Sequence, residues 1–279
     1  MLRHLLISLL VVALAAGGYV LLSPQGRQLI DRVHINMQRA ENKARHRAGE
    51  PLSGTPDLAR LDARLKAAGI APGVPVYIRV FKLESELELW VEKDGRFELF
   101  ATYPMCMWSG RLGPKLKEGD RQAPEGFYTV GKDALNPNSR MHLSFNLGFP
   151  NVYDRAKGRS GSFLMVHGGC SSIGCYAVTD AVVDEIWTFV TAALDQGQAR
   201  IPVHAFPFRM TEQNLRLRQG DTWSGFWADL KTGSDLFERD RVPPVVSVCD
   251  GRYVFEPGTA QTVGQAVEKR CPPDIAGNS

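Results

Sequence analysis

Residues 163–176 have the sequence Phe-Leu-Met-Val-His-Gly-Gly-Cys-Ser-Ser-Ile-Gly-Cys-Tyr, and this stretch decides the fold and the chemistry that we expect. Its apolar start predicts a strand, His167 stands at the end of that strand, and Gly168 and Gly169 predict a turn. An ordinary thiol is only about 3% ionised at pH 7, so a nucleophilic Cys175 needs a base, and an imidazole can take its proton. The order of these residues therefore predicts a Cys–His pair for acyl transfer.

Outward from this stretch, the body of the chain has the periodicity of strands. Apolar and polar residues alternate over 76–81 and 86–92, and Asp94-Gly95 predicts a hairpin into a third strand over 97–103, which together indicate an antiparallel meander. Further strands are predicted at 127–130, 143–147, 162–166, 201–206, 244–248 and 252–256. Since the order of elements contains no βαβ alternation, we expect a mostly β domain of the α+β class with helices added on one side.

Helices are predicted at three places in the body. The clearest begins at Thr179 or Asp180 and ends at Gly197, because a capping residue precedes it and a glycine follows it. Its expected buried stripe consists of Val182, Ile186, Phe189, Val190 and Ala193. A short helix is predicted from Leu58 to Leu65, and two more lie around 211–231.

Residues 109–126 form a long connection with no predicted secondary structure. They contain four glycines, two prolines and seven charged residues. A connection of this length and composition is usually functional or mobile.

The N-terminal segment is apolar and is followed by a basic region. Residues 5–22 contain no charge, which predicts either a cleaved secretory signal or a membrane anchor over residues 1–22. The basic residues that follow would favour retention of this flank in the cytoplasm, but a short N-terminal segment often translocates regardless. We expect a periplasmic or secreted protein, or one held at the inner membrane by residues 5–22.

Three further regions follow this segment. Residues 23–56 are predicted to form a basic helical stalk and a linker, either solvated or in contact with anionic lipid or polymer. A catalytic domain is expected over 57–208, with a C-terminal extension packed on it over 209–279.

The overall composition excludes several classes of protein. The chain has 279 residues, of which 44% are hydrophobic and 23% charged, so it is neither disordered nor a coiled coil as a whole. Its 33 Lys and Arg against 30 Asp and Glu leave a net charge of +3. This balance is too even for a nucleic-acid binder, whose phosphate contacts need a clear cationic excess, so no nucleic-acid partner is expected.

Several motifs resemble the L,D-transpeptidase (YkuD-type) family. His167-Gly168 followed by Ser172-Ile173-Gly174-Cys175 is similar to the HG…SxGC signature of its catalytic domains, and Ala123 to Tyr128 resembles the family's TPxGxF strand entry. The resemblance covers about residues 74–206. It is closer to the YafK/DpaA branch, and the segments that carry this similarity are 112–115, 146–155, 174–180, 207–211, 246–248 and 251–254.

The resemblance implies a role for each residue of the motif. Cys175 would be the nucleophile and His167 its general base, while the backbone amides of Gly174 and Cys175 would form the oxyanion hole. A carbonyl in the Gly168-Gly169 turn would fix the tautomer of the imidazole. Ser172 would support the turn or touch substrate.

Further candidates for substrate binding are His142, Tyr153, Arg155 and Tyr176. For His142 a structural role is the alternative. One position departs from the family, because Ala177 stands where most L,D-transpeptidases carry an arginine two residues after the cysteine. The missing guanidinium puts ordinary transpeptidation in doubt.

The resemblance leads to one leading hypothesis and two alternatives. The leading one is a cysteine amidase that hydrolyses the amide between meso-diaminopimelate of peptidoglycan and an attached lipoprotein. The alternatives are an L,D-transpeptidase that transfers the same acyl group to an amine, and a non-catalytic cell-wall binding module. The expected partners are therefore peptidoglycan and its lipoprotein adducts, together with the membrane through the N-terminal segment.

The five cysteines allow other hypotheses, and we weigh two. A zinc site from His167, Cys170, Cys175 and Cys106 is disfavoured because structural zinc prefers paired CxxC knuckles, and a redox role fails for lack of the same spacing. No metal and no cofactor are therefore expected. If Cys175 is free, Cys249 with Cys271 is the pair with the shortest loop to close, which leaves Cys106 and Cys170; the sequence does not fix this connectivity.

Overall fold

A computed structural model describes residues 23–271 and, within the first 22 residues, only His4, 7–9, 11–12 and 16–18. None of the helices in these described ranges is both long and apolar enough to cross a membrane. The predicted signal or anchor, residues 5–22, lies largely outside the described residues.

The elements are numbered here in chain order. The strands are β1 (Val76–Phe81), β2 (Glu86–Lys93), β3 (Arg96–Pro104), β4 (Met107–Trp108), β5 (Gly126–Val130), β6 (Leu135–Ser139), β7 (His142–Asn146), β8 (Met165–His167), β9 (Tyr176–Ala177), β10 (Ile201–Phe206), β11 (Val245–Cys249), β12 (Arg252–Glu256) and β13 (Glu268–Lys269). The α-helices are α1 (Pro24–Arg47), α2 (Leu61–Ala68), α3 (Val152–Ala156), α4 (Asp180–Asp195), α5 (Glu212–Arg216) and α6 (Ser224–Asp240). The result is a mixed α+β architecture, as the sequence predicts.

The first sheet, which we call the scaffold sheet, has the strand order β3-β2-β1-β10-β5. The predicted antiparallel meander of β1, β2 and β3 is confirmed, and Asp94-Gly95 lies at its second turn with both residues at positive φ. β10 pairs with β1 in parallel, with Ile78 opposite Val203. The sequence did not predict this pairing, because the alternation within a strand does not specify its neighbour. Every residue of β1 and β10 is buried.

The second sheet, which we call the His–Cys sheet, has the order β4-β9-β8-β7-β6. Three of its strands contain only two or three residues. The strand predicted over 162–166 is shorter and later in the chain, because Phe163 has a φ of +56°, which an extended strand cannot contain. The turn that carries the reactive residues lies between β8 and β9.

One apolar core extends across both sheets, and α4 packs against it. The helix begins at Asp180 with Thr179 as its N-cap, and the whole predicted stripe from Val182 to Ala193 is buried. Phe145 of β7 and Ile78 of β1 belong to the same core. The two sheets are therefore held together by burial of apolar side chains, the largest favourable contribution to folding.

α1, which falls in the region where the sequence predicts a basic stalk, packs against the body of the protein. Ile35 is only 3% exposed and belongs to the main core. Asp31 accepts two hydrogen bonds from Arg218, at 2.9 and 3.1 Å, and Asn42 donates to the carbonyl of Met105 at 2.9 Å. The basic residues of α1 lie along a helix that covers one side of the domain.

Residues after 208 form a second, aromatic core against the scaffold sheet. Phe127 and Phe206 of that sheet pack with Trp227 of α6 and Val246 of β11. Tyr153 stacks on Tyr253 with ring centroids 3.9 Å apart. The segment is thus packed on the catalytic body through its described part, which ends at Cys271.

Candidate active site

The His–Cys turn, residues 167–175, joins β8 to β9 and carries both predicted reactive side chains. Gly168 donates its N–H to the carbonyl of Leu143 at 3.1 Å, which ties the turn to β7. A Cβ atom at position 168 would lie 2.6 Å from Asp180 Oδ1 and 2.9 Å from the carbonyl of Met141. Such distances are shorter than van der Waals contact, so the close approach of the turn to its neighbours requires glycine at this position.

The thiol and the imidazole lie at the two ends of the turn between β8 and β9. These strands run parallel with His167 opposite Ala177. Cys175 directly precedes β9, and its Sγ accepts a hydrogen bond from the backbone N–H of Met165 in β8. The thiol therefore lies against the strand that carries His167.

The imidazole of His167 is held in one tautomer. Its Nδ1 lies 2.5 Å from the carbonyl oxygen of Gly168. A carbonyl only accepts, so Nδ1 carries the proton and Nε2 is left as the acceptor for another proton. Burial lowers the pKa of His167, although the bond to Gly168 opposes this effect. The ring is therefore neutral at pH 7 and has the protonation state of a general base.

The Cys175 thiol is partly buried and has polar neighbours from the strand beside it. It accepts a hydrogen bond from the backbone N–H of Met165 at 3.3 Å and donates to the carbonyl of Phe163 at 3.6 Å. Burial raises the pKa of Cys175, while the Met165 N–H and the positive charge of Lys115 act in the opposite direction. The thiol is therefore protonated in this state and needs a base before it can attack.

The backbone amides predicted to form the oxyanion hole are already hydrogen-bonded. The N–H of Gly174 donates to the hydroxyl of Ser109, and the N–H of Cys175 donates to Ser172 Oγ at 3.0 Å. Ser172 in turn donates to the carbonyl of Cys175 at 2.7 Å. Both predicted donors are therefore engaged with serine hydroxyls in this structure. Ser172 supports the turn, and Ser109 is a site residue that sequence reasoning missed.

A disulfide between Cys106 and Cys170 fixes the turn to the start of β4. Their Cα atoms are 5.2 Å apart, and a second disulfide joins Cys249 and Cys271 with Cα atoms 4.8 Å apart. Among the described cysteines only Cys175 is free. Cys106 and Cys170, two of the four ligands in the zinc hypothesis, are bonded to each other in this structure.

The sequence profile of the YkuD family, the L,D-transpeptidase catalytic domain, matches residues 75–226. "Putative L,D-transpeptidase YafK" of Escherichia coli K12 is 48% identical over 193 residues, which is 69% of this chain and 78% of that protein. The protein of the same name in E. coli O157:H7 matches equally well. This chain belongs to the YkuD L,D-transpeptidase family.

Solved structures with a related fold are more distant. The helical cell shape determining protein Pgp2 from Campylobacter jejuni is 20% identical with a TM-score of 0.39, and the match covers 64% of each chain. Bd1075 from Bdellovibrio bacteriovorus is 15% identical with a TM-score of 0.37, over 62% of this chain and 76% of that one.

Two of the predicted substrate-binding residues lie on the surface. His142 is exposed at a positive φ, and its Nε2 lies 2.7 Å from Asp184 Oδ1. The hydrogen bond that His142 donates to the Asp184 carboxylate raises the pKa of His142. Arg155 donates to the carbonyl of Pro150. Both side chains have a protein partner, and nothing in these contacts joins them to the thiol.

The other two predicted substrate-binding residues are buried, which argues against contact with a substrate. Tyr176 is fully buried, and its hydroxyl donates to the carbonyl of Pro124. Tyr153 is 4% exposed in the aromatic core. Both tyrosines therefore support the fold in this family member rather than line its surface.

Two large apolar side chains stand near the thiol instead, and sequence reasoning did not single them out. Phe163, whose carbonyl accepts from the thiol, is 71% exposed, and Ile173, two residues before Cys175, is 80% exposed. Exposed apolar side chains beside a reactive group are typical of a binding surface.

Ala177, where the family usually has an arginine, is fully buried in β9. It pairs with Met107 of β4 on one side and with His167 of β8 on the other. Alanine in place of arginine at position 177 therefore removes a guanidinium from the position paired with His167.

The segment 109–126 is ordered by buried polar contacts. Gln122 donates to the carbonyl of Gly113 at 2.6 Å and accepts from the N–H of Arg111 at 3.0 Å. Lys115 Nζ bonds to Asp120 at 2.5 Å. The alternative that this segment is a mobile loop is not supported by these contacts, and its first residue, Ser109, takes part in the site.

Proposed function

We propose that this family member is a cell-wall cysteine amidase that hydrolyses the amide between meso-diaminopimelate of peptidoglycan and an attached lipoprotein. The observation that carries the chemistry is a free thiol directly before β9 and an imidazole of fixed tautomer at the end of β8, the strand that pairs with β9. A Cys–His pair is the minimum set for acyl transfer through a thioester.

Each step moves one proton. His167 Nε2 takes the proton of the Cys175 thiol, and the sulfur attacks the carbonyl carbon of the substrate amide. The tetrahedral intermediate then breaks its carbon–nitrogen bond, and the imidazolium returns the proton to the leaving amine. A thioester on Cys175 remains. The same imidazole takes a proton from a water molecule, whose oxygen bonds to the thioester carbon; the carbon–sulfur bond then breaks, the acid leaves, and the imidazolium returns the proton to the sulfur.

Stabilisation of the oxyanion requires a small rearrangement of hydroxyls. The N–H groups of Gly174 and Cys175 are the donors nearest to the sulfur along the chain, and each bonds to a serine hydroxyl in the free enzyme. The developing negative charge is a stronger acceptor than a hydroxyl. We propose that the Ser109 and Ser172 hydroxyls give way to the oxyanion when substrate binds.

Water is the proposed acceptor because one group that could orient a second amine is missing. A transpeptidase must orient its amine so that it outcompetes water at about 55 M, and orientation needs rigid contacts. The missing guanidinium at Ala177 removes one such contact beside His167. The proposed location is the periplasm, and this location depends on peptidoglycan being the substrate.

The test is to incubate the purified enzyme with lipoprotein-bearing peptidoglycan and to analyse the products by mass. We expect released lipoprotein with a free lysine end, at a rate that falls at least about 10⁴-fold in Cys175→Ala and about 10²–10⁴-fold in His167→Gln. Ser171→Ala, an exposed neighbour in the same turn, is the matched control and should leave the rate unchanged. Formation of meso-diaminopimelate cross-links without loss of lipoprotein would refute hydrolysis and support the transpeptidase alternative.

A further inference from the structure

A cavity of about 290 Å³ lies between α1, the segment 110–112 and the start of α6. We call it the arginine pocket and define it by Arg27, Arg32, Arg39, Arg111, Leu112 and Trp223. It is separate from the His–Cys turn, and the proposed chemistry does not use it.

The lining of the arginine pocket is strongly cationic. Five arginines and two aspartates line it, which gives a formal surplus of three positive charges. Asp31 and Arg218 neutralise each other through two hydrogen bonds, and Asp221 accepts from Gln28 at 2.8 Å. Arg27 Nε lies 3.9 Å from Asp31, and Arg39 donates to the carbonyl of Gly110 at 3.1 Å, so the positive charge that has no partner among the described residues is that of Arg32 and Arg111.

Several of these guanidinium groups have unused donors. Arg32 and Arg111 are exposed, and their side chains make no ion pair or hydrogen bond with any other described residue. Arg27 Nε and Arg39 Nε are shielded from solvent without a hydrogen-bond partner in the described part of the chain. Burial lowers the pKa of Arg39 to about 10, so it still carries its charge at neutral pH. Unpaired buried donors are uncommon in folded proteins and indicate a site for an acceptor.

The rest of the wall is apolar, which distinguishes the pocket from a site for a bare inorganic anion. Leu112, Trp223 and Trp227 line it beside the arginines. Trp223 packs so closely on Gly113 that a Cβ atom there would lie 2.6 Å from the indole nitrogen. A ligand that fills this space carries a negative group on a carbon skeleton.

The pocket is joined to the His–Cys turn through a short piece of backbone. Gly110, Arg111 and Leu112 line the pocket, and the residue before them, Ser109, bonds to the N–H of Gly174 and lies 3.3 Å from Ser172 Oγ. Ser109 therefore links the backbone of the His–Cys turn directly to Gly110, the first of these three lining residues.

We propose that the arginine pocket is a second subsite that binds a carboxylate of a peptide whose amide lies at Cys175. The inference rests on the proposed function in taking that peptide to be a stem peptide of peptidoglycan. Arginine is the side chain best suited to carboxylates because its planar fork donates two parallel hydrogen bonds. The continuity with Ser109 favours a peptide over a lipid headgroup.

Binding should be measured by calorimetry with the Cys175→Ala full chain, so that turnover does not interfere. The probe is the tetrapeptide L-Ala-γ-D-Glu-meso-diaminopimelate-D-Ala, alongside the same peptide with its carboxylates amidated. We expect Arg32→Gln and Arg111→Gln each to raise the Kd about fivefold to tenfold, since each loses a charge-assisted hydrogen bond. Arg47→Gln, an exposed arginine on the same helix outside the pocket, should leave the Kd unchanged. The amidated peptide should bind more weakly than the free acid, and added salt should narrow that difference.

Two results would overturn the proposal. One is an unchanged Kd in both pocket variants. The other is binding of phosphatidylglycerol vesicles or inorganic phosphate that depends on Arg32 and Arg111 while the tetrapeptide does not compete. The proposed function fails separately: pocket-dependent binding without lipoprotein release by the unaltered enzyme would refute the amidase and leave the subsite standing.

Discussion

The scaffold sheet and the His–Cys sheet both contain five strands, but different forces hold them. In the scaffold sheet, β1 and β10 are buried at every residue and pair over four to six positions with each neighbour. In the His–Cys sheet, β4 and β9 share only two pairs, as do β8 and β9. Strands this short bury little surface of their own, so apolar packing alone does not determine their positions.

The His–Cys sheet is held instead by a disulfide and by side chains bonded to backbone groups. Cys106 and Cys170 join the start of β4 to the turn, and Ser172 bonds to both backbone groups of Cys175. Gly169 donates its N–H to Asp180 Oδ1 at 2.7 Å. The comparison shows that the fold combines a rigid scaffold with a short turn that carries the thiol. The backbone N–H groups of this turn bond to serine hydroxyls and can change their hydrogen-bond partners.

A buried ion pair ties the segment 109–126 to the scaffold sheet. Lys82, next to the end of β1, donates to Glu125 at 2.9 Å and to the carbonyls of Gly113 and Ala123 at 2.9 and 3.1 Å. Glu125 also accepts from the N–H of Gly113 at 2.7 Å and from the Trp227 indole at 3.0 Å. Both charged side chains are completely buried. This cluster holds both ends of the segment that begins at Ser109.

The largest effect on stability is expected when this pair loses one partner. Lys82→Met leaves the Glu125 carboxylate buried without its cation, which should reduce the free energy of unfolding by about 3–5 kcal/mol in urea denaturation. The double variant Lys82→Met/Glu125→Gln should recover much of that loss, because no unpaired charge remains. The exposed pair of Lys132 and Asp195, at 2.9 Å, is the matched control, and Lys132→Met should change stability by less than about 1 kcal/mol. A double variant with the full sum of both single losses would show that the two groups act independently.

A smaller effect is expected from the disulfides, and it should separate the two regions. Removing Cys106–Cys170 by a double alanine substitution should cost about 2–4 kcal/mol of stability. This bridge closes a separation of 64 residues and Cys249–Cys271 one of 22, so chain entropy predicts a loss about 1 kcal/mol larger for the first. The first variant should also lose lipoprotein release, since its bridge holds the His–Cys turn, whereas the second should retain it. Equal activity in both variants would mean that the hydrogen bonds alone position the turn.

The same difference explains how much of the structure the sequence predicted. The meander β1–β3 and the stripe of α4 were correct because long periodic patterns report burial directly. β4 and β9 were missed because a strand of two residues is too short to show an alternation of apolar and polar side chains. The parallel pairing of β10 with β1 was missed because it joins segments more than a hundred residues apart.

In the candidate site, residues close together in sequence were predictable and residues far apart in sequence were not. The order of residues predicts Cys175 and His167 as a pair, because the histidine, the turn and the thiol belong to one short stretch of sequence. Ser109 could not be identified in this way, because it is separated by 65 residues in sequence from Gly174, whose N–H it accepts. Tyr176 adjoins the thiol in sequence but alternation turns it to the opposite, buried face.

The smallest effect concerns two buried histidines, one in each sheet. His204 of the scaffold sheet accepts a hydrogen bond from the Tyr77 hydroxyl at Nδ1, at 2.7 Å, and burial lowers its pKa well below 6.5. Burial also lowers the pKa of His167. A folded-state pKa below the unfolded one means that the unfolded chain binds more protons under pH 6.5. Stability is therefore complete above that pH and is lost as the pH falls below it.

Between pH 7 and pH 6, each histidine that stays neutral in the folded state should lower the free energy of unfolding by about 0.7 kcal/mol. Urea denaturation at the two pH values measures this slope. His204→Phe should remove the whole contribution of His204 to this pH dependence of the free energy of unfolding. His167→Gln should remove a smaller contribution, because the pKa of His204 is shifted further. His34→Gln, at an exposed position on α1, is the control and should leave the slope as it is. A larger change of slope in His167→Gln than in His204→Phe would reverse the comparison, and would mean that the His–Cys sheet buries its histidine more completely than the scaffold does.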